Sequence, residues 1–409
     1  MSTTKKSIFM VDDDIAICEL VNIILTSAGF NFDSQNKVYG SFEHIKAHKP
    51  DLVLLDLHLP DGNGLNICKK IKTSEELKHI PVIILTTREF NIEKEVAYEA
   101  GADLFMSKPF DKDELVQFIK SYLSDKIEVK FWGVRGSTPT PEADKMRYGG
   151  NTPCVQITIP GVDETLIFDA GTGIRNLGDH LVRTKKAINA KLFITHPHWD
   201  HIQGLPFFKP LYGPDNHIRI SMPEQLEGNC KQVLSGQMQY TYFPVTPKML
   251  IADVQFEDQL PEETTYDGYS ISFILANHPT NTAIYKIKAH GKTIIYAPDN
   301  ELIAKQAVQD SSFLGHLVDF CANAELLIHD AQYAYENYDQ FRSWGHSPWQ
   351  ETLKIAELAK VKDLVFFSHD PSSTDSYLDG LNIRLKKTDN SLNNIKLAKE
   401  LSVIKIAID

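Results

Sequence analysis

Apolar and polar positions follow one pattern up to about residue 125 and another beyond it. In the first part, short continuous apolar runs alternate with helical patterns, which is typical of a parallel sheet covered by helices on both faces. Apolar residues three and four apart predict a helix over 17–28, and a capping box predicts another from Asp111. Four of the strands of this sheet are located at 8–11, 52–55, 82–85 and 102–106. The pattern therefore predicts a doubly wound α/β domain over residues 1–125, with five parallel strands.

From residue 127 onward, many short apolar runs are separated by Gly, Pro, Asn and Asp, and helical patterns are fewer. This alternation predicts sheets packed under helices. A short linker is expected at 124–126, and a second domain over 127–409. The clearest predicted strands are 129–132, 155–159, 166–169, 192–195, 271–275, 283–287, 293–297, 326–329 and 364–367.

Charge and cysteine usage exclude several classes of protein. The 409 residues carry 42 basic and 54 acidic side chains, a net charge of −12, which is the wrong sign for a protein that binds DNA through its phosphates. The five cysteines form no CxxC pair, which favours buried thiols in a reducing compartment. No apolar stretch approaches the roughly 18 residues of a membrane span. We expect a cytoplasmic protein that binds neither DNA nor a membrane.

Five polar residues lie at the ends of the predicted strands of the first domain: Asp12, Asp13, Asp56, Thr86 and Lys108. Ligands bind at this edge of a parallel sheet. Carboxylates gathered so closely favour Mg²⁺, which prefers oxygen ligands. Asp56 is placed to attack a phosphoryl donor, with Lys108 neutralising the phosphoryl group and Thr86 hydrogen-bonded to the product.

This set, with LVLLDLHLPDGNG around Asp56 and a Lys-Pro step at 108–109, resembles the receiver domain of response regulators over residues 7–123. The resemblance implies that Asp56 accepts a phosphoryl group from a sensor histidine kinase, beside Mg²⁺ held by Asp12, Asp13 and Asp56. It implies a cis Lys108–Pro109 bond. It also implies that Phe105, three residues before Lys108, turns inward with Thr86 on phosphorylation. Receivers often dimerise when phosphorylated, so we expect a homodimer.

The sharpest motif of the second domain is THPHWDHIQGLPFF, which places His196, His198, Asp200 and His201 within six residues. In an extended loop, His196 and His198 can face one ion while Asp200 and His201 turn toward a second. Imidazole and carboxylate ligands suit zinc, and also manganese or iron.

The pattern HxHxDH resembles the metallo-β-lactamase superfamily, an αββα sandwich, over residues 127–409. Later strand ends supply further matches at His278, Asp299 and His369. The resemblance implies one metal ion held by His196, His198 and His278, a second held by Asp200, His201 and His369, and Asp299 bridging the two.

Two adjacent cations make hydrolysis the expected reaction, because they lower the pKa of a bridging water. WGHSPWQ around His346 and LIHDAQY around Asp330 resemble the phosphodiesterase branch that contains RNase Z. His346 is then a candidate general acid oriented by Asp330, and Asp200 belongs to the catalytic centre as a metal ligand. That branch has Glu where Asp330 stands and a different segment from SHDPSS, and residues 204–277 lack a basic arm for tRNA. A small substrate fits better.

Two further segments are candidate substrate contacts. Arg135 in FWGVRGSTPTP could clamp a phosphate, and the backbone of YGGNTPC near Asn151 and Thr152 could bind an anion. A tight turn with Arg135 in a salt bridge is the alternative. Aromatic residues at 207–208 and 240–243 could stack on a base, although such pairs more often belong to a core.

The sequence thus predicts a response regulator with enzymatic output, a binuclear phosphodiesterase that hydrolyses 3′,5′-cyclic nucleotides (cAMP or cGMP) or a similar small diester under control of Asp56. The alternatives are another hydrolase of the superfamily, such as a ribonuclease, thioesterase or lactonase, and a non-catalytic metal-dependent sensor.

Overall fold

The structure, a computed structural model, describes residues 5–86, 96–123, 125–259, 262–303, 311–388 and 390–408. The chain divides into two compact units, Met1–Asp125 and Lys126–Asp409. None of the helices within the described ranges is long and apolar enough to cross a membrane.

The first unit contains a parallel sheet of five strands in the order β2-β1-β3-β6-β7. Its strands, including a short β4–β5 hairpin, are β1 (Ser7–Val11), β2 (Asn31–Gln35), β3 (Leu52–Asp56), β4 (His58–Leu59), β5 (Gly62–Asn63), β6 (Val82–Thr86) and β7 (Leu104–Ser107). Its described helices are α1 (Ile15–Ser27), α2 (Ser41–His48), α3 (Gly64–Thr73) and α4 (Lys112–Leu123).

This sheet follows from the apolar runs, because β3 and β6 are buried along their whole length between two apolar clusters. The predicted doubly wound fold is confirmed. Strand β2 escapes sequence analysis because its residues, NFDSQ, are half-buried or exposed at the edge of the sheet.

The second unit contains two sheets of seven strands each, in the orders β13-β12-β11-β10-β9-β8-β21 and β14-β15-β16-β17-β18-β19-β20. The strands of the first sheet are β8 (Lys126–Gly133), β9 (Cys154–Thr158), β10 (Thr165–Phe168), β11 (Asn189–Phe193), β12 (His217–Pro223), β13 (Asp253–Gln259) and β21 (Val403–Ala407). Those of the second sheet are β14 (Thr264–Tyr266), β15 (Tyr269–Leu275), β16 (Ala283–Ala289), β17 (Lys292–Ala297), β18 (Leu326–Asp330), β19 (Asp363–Phe367) and β20 (Asn394–Leu397).

Helices cover the outer face of each sheet. The described helices of this unit are α5 (Gly173–Thr184), α6 (Trp199–Ile202), α7 (Cys230–Gly236), α8 (Ser311–Cys321), α9 (Tyr335–Tyr338), α10 (Trp349–Leu358) and α11 (Asp375–Leu385). Helix α5 packs its apolar side, Ile174, Leu177 and Leu181, on the first sheet, and α10 packs on the second.

The inner faces of the two sheets meet in one aromatic core. Phe168 and Phe193 of the first sheet contact Tyr285 of the second, with ring centroids 5.7 Å apart in both pairs. The predicted αββα sandwich is therefore confirmed. The loops after β11, β15, β17 and β19 carry the predicted metal ligands. Asp330 ends β18, and His346 lies in the segment that follows it.

Candidate functional site

In the receiver-like unit, the ends of β1 and β3 bring together Asp12, Asp13 and Asp56, whose ligand atoms all lie within 4.8 Å of one another. Lys108 forms ion pairs with both Asp12 and Asp56. Burial lowers the pKa of Lys108, but the two carboxylates outweigh it and hold that pKa above its usual value. The three carboxylates fit a hard cation such as Mg²⁺, with Lys108 as a fixed positive charge beside it.

The remaining receiver residues lie on neighbouring strands. Thr86 is buried at the end of β6, and Phe105 on β7 is half-buried and pairs in register with Ile84. The Lys108–Pro109 peptide bond is cis. Asp12, Asp13, Asp56, Thr86 and Lys108 therefore lie at the carboxyl ends of the strands, and Phe105 lies within the neighbouring strand β7.

In the second unit, four side chains from three loops converge on one point. The group is His196, His198, His278 and Asp299, with one ligand atom of each lying within 4.8 Å of the others. His198 Nδ1 lies 2.9 Å from His196 Nε2 and 3.1 Å from His278 Nε2. Asp299 Oδ2 lies 3.5 Å from His196 Nε2 and 3.9 Å from His278 Nε2.

These separations fit the donors of a tetrahedral metal site, because metal–nitrogen bonds of about 2.0–2.1 Å place neighbouring ligand atoms about 3.3 Å apart. Burial lowers the pKa of His196 well below its usual value and that of His278 to about 4. Low pKa values at His196 and His278 favour the neutral imidazole that a metal ion requires.

A second group consists of Asp200, His201 and Asp299. His201 Nε2 lies 3.3 Å from both Asp200 Oδ2 and Asp299 Oδ2. His201 Nε2 and Asp299 Oδ1 are buried, and within the described part of the chain they have no hydrogen-bond partner. Such orphaned polar atoms cost free energy unless something fills the space between them. A cation shared through Asp299 fits this geometry.

The second ring nitrogen of each of three histidines is held by the protein. His196 Nδ1 lies 3.1 Å from Thr195 Oγ1, His201 Nδ1 lies 2.8 Å from Asp169 Oδ2, and His278 Nδ1 lies 3.0 Å from the Gly345 carbonyl oxygen. These contacts turn the Nε2 atoms toward the shared centre. A Cβ on Gly345, whose φ is +87°, would lie 2.2 Å from His278 Nδ1.

Asp169 is a positioning residue that sequence analysis missed. It follows β10 with a φ of +60° and accepts hydrogen bonds from the Thr195 backbone at 2.7 Å and the Tyr296 hydroxyl at 2.9 Å. Its carboxylate thus connects both sheets to His201. The available signal was its place at the end of the apolar run LIF.

His346 and Asp330 form a buried pair beside the two groups. His346 Nδ1 lies 3.0 Å from Asp330 Oδ2, and His346 Nε2 lies 4.0 Å from Asp299 Oδ2. Asp330 also accepts hydrogen bonds from the backbone N–H groups of Ser347 and Gln332, at 3.1 and 2.9 Å. Burial raises the pKa of Asp330. Burial lowers the pKa of His346, but the carboxylates of Asp330 and Asp299 outweigh it and raise that pKa.

The loop that carries His346 is fastened by Glu301, a second residue that sequence analysis missed. The buried Glu301 carboxylate accepts hydrogen bonds from the Ser343 N–H at 2.7 Å and the Gly345 N–H at 3.0 Å, and from the Tyr338 hydroxyl. Because Gly345 also contacts His278, one carboxylate positions both a candidate acid and a candidate ligand.

The structure differs from the sequence analysis at His369. His369 Nε2 lies 2.8 Å from the Ala398 carbonyl oxygen, and in the described residues its ring joins neither donor group. Burial lowers the pKa of His369 to about 4. The ring is held by the chain that leads from β20 to β21, so the second group has three donors where four were expected.

The predicted substrate contacts Arg135 and Thr152 also differ. Arg135 is fully buried and donates to the carbonyl oxygens of Gly149, Asp370 and Ser373 at 2.9–3.0 Å. Thr152 is fully buried, and its hydroxyl oxygen accepts the Thr172 N–H at 2.8 Å. These groups are satisfied inside the fold, so both have structural roles. The printed partners of Arg135 are backbone carbonyl oxygens and not the carboxylate of the expected salt bridge.

The glycine-rich turn binds a carboxylate of the protein itself, the side chain of Glu400. The Glu400 carboxylate accepts hydrogen bonds from both the backbone N–H and the side-chain amide of Asn151. A Cβ on Gly149 would lie 2.3–2.5 Å from the Glu400 side chain, which explains the glycine. Asn151 is therefore engaged by Glu400 rather than directed to a substrate.

Replacing Arg135 with alanine should lower the free energy of unfolding by about 3 kcal/mol or more, because several buried carbonyl oxygens lose their donor. Thermal or urea unfolding of the full chain measures this loss. Exposed Arg183 is the matched control, and Arg183→Ala should change stability by less than about 0.5 kcal/mol. If Arg135→Ala instead raised KM at unchanged stability, Arg135 would be a substrate clamp.

Comparison with known proteins agrees with this geometry. Residues 8–120 match the response regulator receiver domain, and residues 164–369 match the beta-lactamase superfamily domain. The polar-differentiation response regulator DivK of Brucella ovis is 32% identical over 120 residues, which are 29% of this chain and 98% of DivK.

Two solved structures resemble the second unit. The metallo-beta-lactamase fold protein YhfI from Bacillus subtilis is 19% identical, with a TM-score of 0.50 over 69% of this chain and 100% of YhfI. Human tRNase Z, short form (ELAC1), is 20% identical, with a TM-score of 0.48 over 69% of this chain and 100% of that one. The similarity to YhfI extends the family match to the fold of the whole second unit. This chain belongs to the beta-lactamase superfamily, and it joins a metallo-β-lactamase-fold domain to a response regulator receiver domain.

Proposed function

We propose that the metallo-β-lactamase-fold domain is a binuclear metal-dependent phosphodiesterase, and that phosphorylation of Asp56 by a sensor histidine kinase controls it. The substrate we favour is a 3′,5′-cyclic nucleotide or a similar small diester. The observation that carries this proposal is the buried His346–Asp330 pair, which lies beside the carboxylate shared by the two donor groups.

Two sets of residues would each hold one divalent cation. His196, His198, His278 and Asp299 would hold one divalent cation, and Asp200, His201 and Asp299 would hold the second. Zinc suits the imidazole donors, and manganese or iron are alternatives. Such cations supply Lewis-acid activation of a water and neutralise phosphate oxygens.

His346 acts as the general acid in this proposal. Water adds to phosphorus and releases one proton to solvent, the bond from phosphorus to the leaving alkoxide oxygen breaks, and His346 Nε2 gives that oxygen a proton. His346 then regains a proton from solvent. Asp330 accepts from His346 Nδ1 and stabilises the protonated ring before transfer. An alkoxide needs this proton far more than a thiolate does, which favours a diester over a thioester. The net charge of −12 favours a small diester over a long nucleic acid.

The test measures metal content and hydrolysis of bis(p-nitrophenyl) phosphate and of cyclic AMP and cyclic GMP by the full chain. About two metal ions per chain with diester turnover would support the proposal. Metal without turnover on any diester would contradict it, and would favour another hydrolase or a metal-dependent sensor.

Asp56→Asn should abolish phosphorylation by a small acyl phosphate in the presence of Mg²⁺, because an amide cannot act as the nucleophile. Intact-protein mass spectrometry would show one added phosphoryl group on the wild type and none on the variant. Asp113→Asn, an exposed aspartate of α4, is the matched control and should keep the modification. Modification of both variants alike would place the phosphoacceptor elsewhere.

We also propose that phosphorylation promotes a homodimer, which light scattering with and without the phosphodonor would test. The five cysteines are all buried and unpaired, which supports a reducing compartment such as the cytoplasm.

A further inference from the structure

An uncharged pocket of about 470 Å³ adjoins the loop that carries the metal-binding motif. We refer to it as the aromatic pocket, and the residues that define it here are Pro197, Trp199, Phe207, Gln237, Tyr242 and Phe243. Pro197 and Trp199 alternate along the chain with His196, His198 and Asp200. Residues of the metal-binding loop itself therefore line one side of the pocket.

The side chains of this pocket are exposed to an extent that is unusual for large apolar residues. Trp199 is 80% exposed, Tyr242 is 77% exposed and Phe207 is 54% exposed. Phe207 and Phe243 form an edge-to-face pair with centroids 5.4 Å apart. Exposed apolar patches of this kind mark binding sites, and aromatic walls suit a flat ring.

Gln237 adds a polar requirement. Its side-chain amide nitrogen is buried, and among the described residues no atom accepts a hydrogen bond from it. A buried donor without an acceptor costs free energy. An occupant of the pocket with a hydrogen-bond acceptor would remove that cost, whereas an acyl chain or a plain hydrocarbon ring would not.

We propose that the aromatic pocket binds the nucleobase of a nucleotide substrate while the phosphodiester lies at the metal ligands. The pocket has no charged lining residue, so it suits the neutral part of a substrate. The anionic part of that substrate would be neutralised at the metal ligands. A planar ring that carries acceptors and is attached close to a phosphodiester is a nucleobase. This inference rests on the proposed function and narrows its substrate to nucleoside diesters.

The test compares two diesters, cyclic AMP and the 3′,5′-cyclic phosphate of the same sugar without a base. Phe243→Ala and Gln237→Leu should each lower kcat/KM for cyclic AMP by about tenfold or more, the effect of losing a stacking or hydrogen-bonding contact to a base. Neither should change kcat/KM for the base-free diester. Tyr240→Ala is the matched control, since Tyr240 is 81% exposed on the same segment but does not line the pocket.

An equal loss on both diesters would overturn the inference, because the residues would then only support the fold. Equal wild-type turnover of the two diesters would also overturn it while leaving the phosphodiesterase intact. Calorimetric titration with free adenosine separates the two proposals. Adenosine binding that Phe243→Ala removes would support the pocket even if no diester were hydrolysed, and absence of that binding would count against it.

Discussion

Asp299→Ala is expected to remove both metal ions and to reduce diester turnover on the order of 10³-fold or more, since the several kcal/mol supplied by the metal centre are lost. Asp299 is the one residue shared by the two donor groups, and its Oδ2 lies 3.3 Å from His201 Nε2 and 3.5 Å from His196 Nε2. Metal analysis after dialysis and turnover of bis(p-nitrophenyl) phosphate measure the two effects.

Thermal unfolding gives a second readout that does not depend on activity. Metal ions that bind only the folded protein raise its melting temperature, so added Zn²⁺ should raise that of the wild type and not that of Asp299→Ala. Asp253→Ala is the matched control, because Asp253 forms an exposed pair with His217 and belongs to neither donor group. A variant of Asp299 that kept two ions would refute the shared-ligand assignment.

His346→Ala is expected to lower turnover of a diester with an alkoxide leaving group by about 10²–10⁴-fold while both metal ions stay bound. The metals remain because His346 belongs to neither donor group. A p-nitrophenolate leaves without a proton, so the turnover of bis(p-nitrophenyl) phosphate by this variant should fall by less than about tenfold. The ratio of the two losses is the signature of a general acid.

Two variants complete this experiment. Asp330→Asn should lower turnover of the alkoxide substrate less than His346→Ala does, because it weakens the orientation of the acid without removing it. His217→Ala replaces an exposed histidine and should leave the turnover of both substrates unchanged. Equal losses on both leaving groups, or metal loss in His346→Ala, would rule out the role of general acid.

The sequence predicted those parts of the site that depend on local spacing or on strand ends. HxHxDH places four ligands within six residues, so its convergence needs only one loop, and His278 and Asp299 each follow a recognisable apolar strand. Strands β12 and β13 were missed because polar residues alternate along them.

Contacts between segments that are distant along the chain could not be predicted from the sequence. Asp169 and Glu301 act through groups that only the fold brings to them, as in the contact between Asp169 and His201. The turn at Asn151 was predicted to bind an anion of the substrate, and no local pattern reveals that Glu400, 249 residues away, occupies this position. His369 has the right motif, yet the neighbouring Ala398 carbonyl holds its ring.

The division of the metal ligands between the two sheets has a consequence for when a metal ion can bind during synthesis. HxHxDH follows β11 of the first sheet, whereas His278 and Asp299 follow β15 and β17 of the second. A growing chain that has only the first of these segments offers a partial, weak chelate. We therefore expect the identity of the ion to be selected by the finished fold, and metal uptake to report that both sheets have joined.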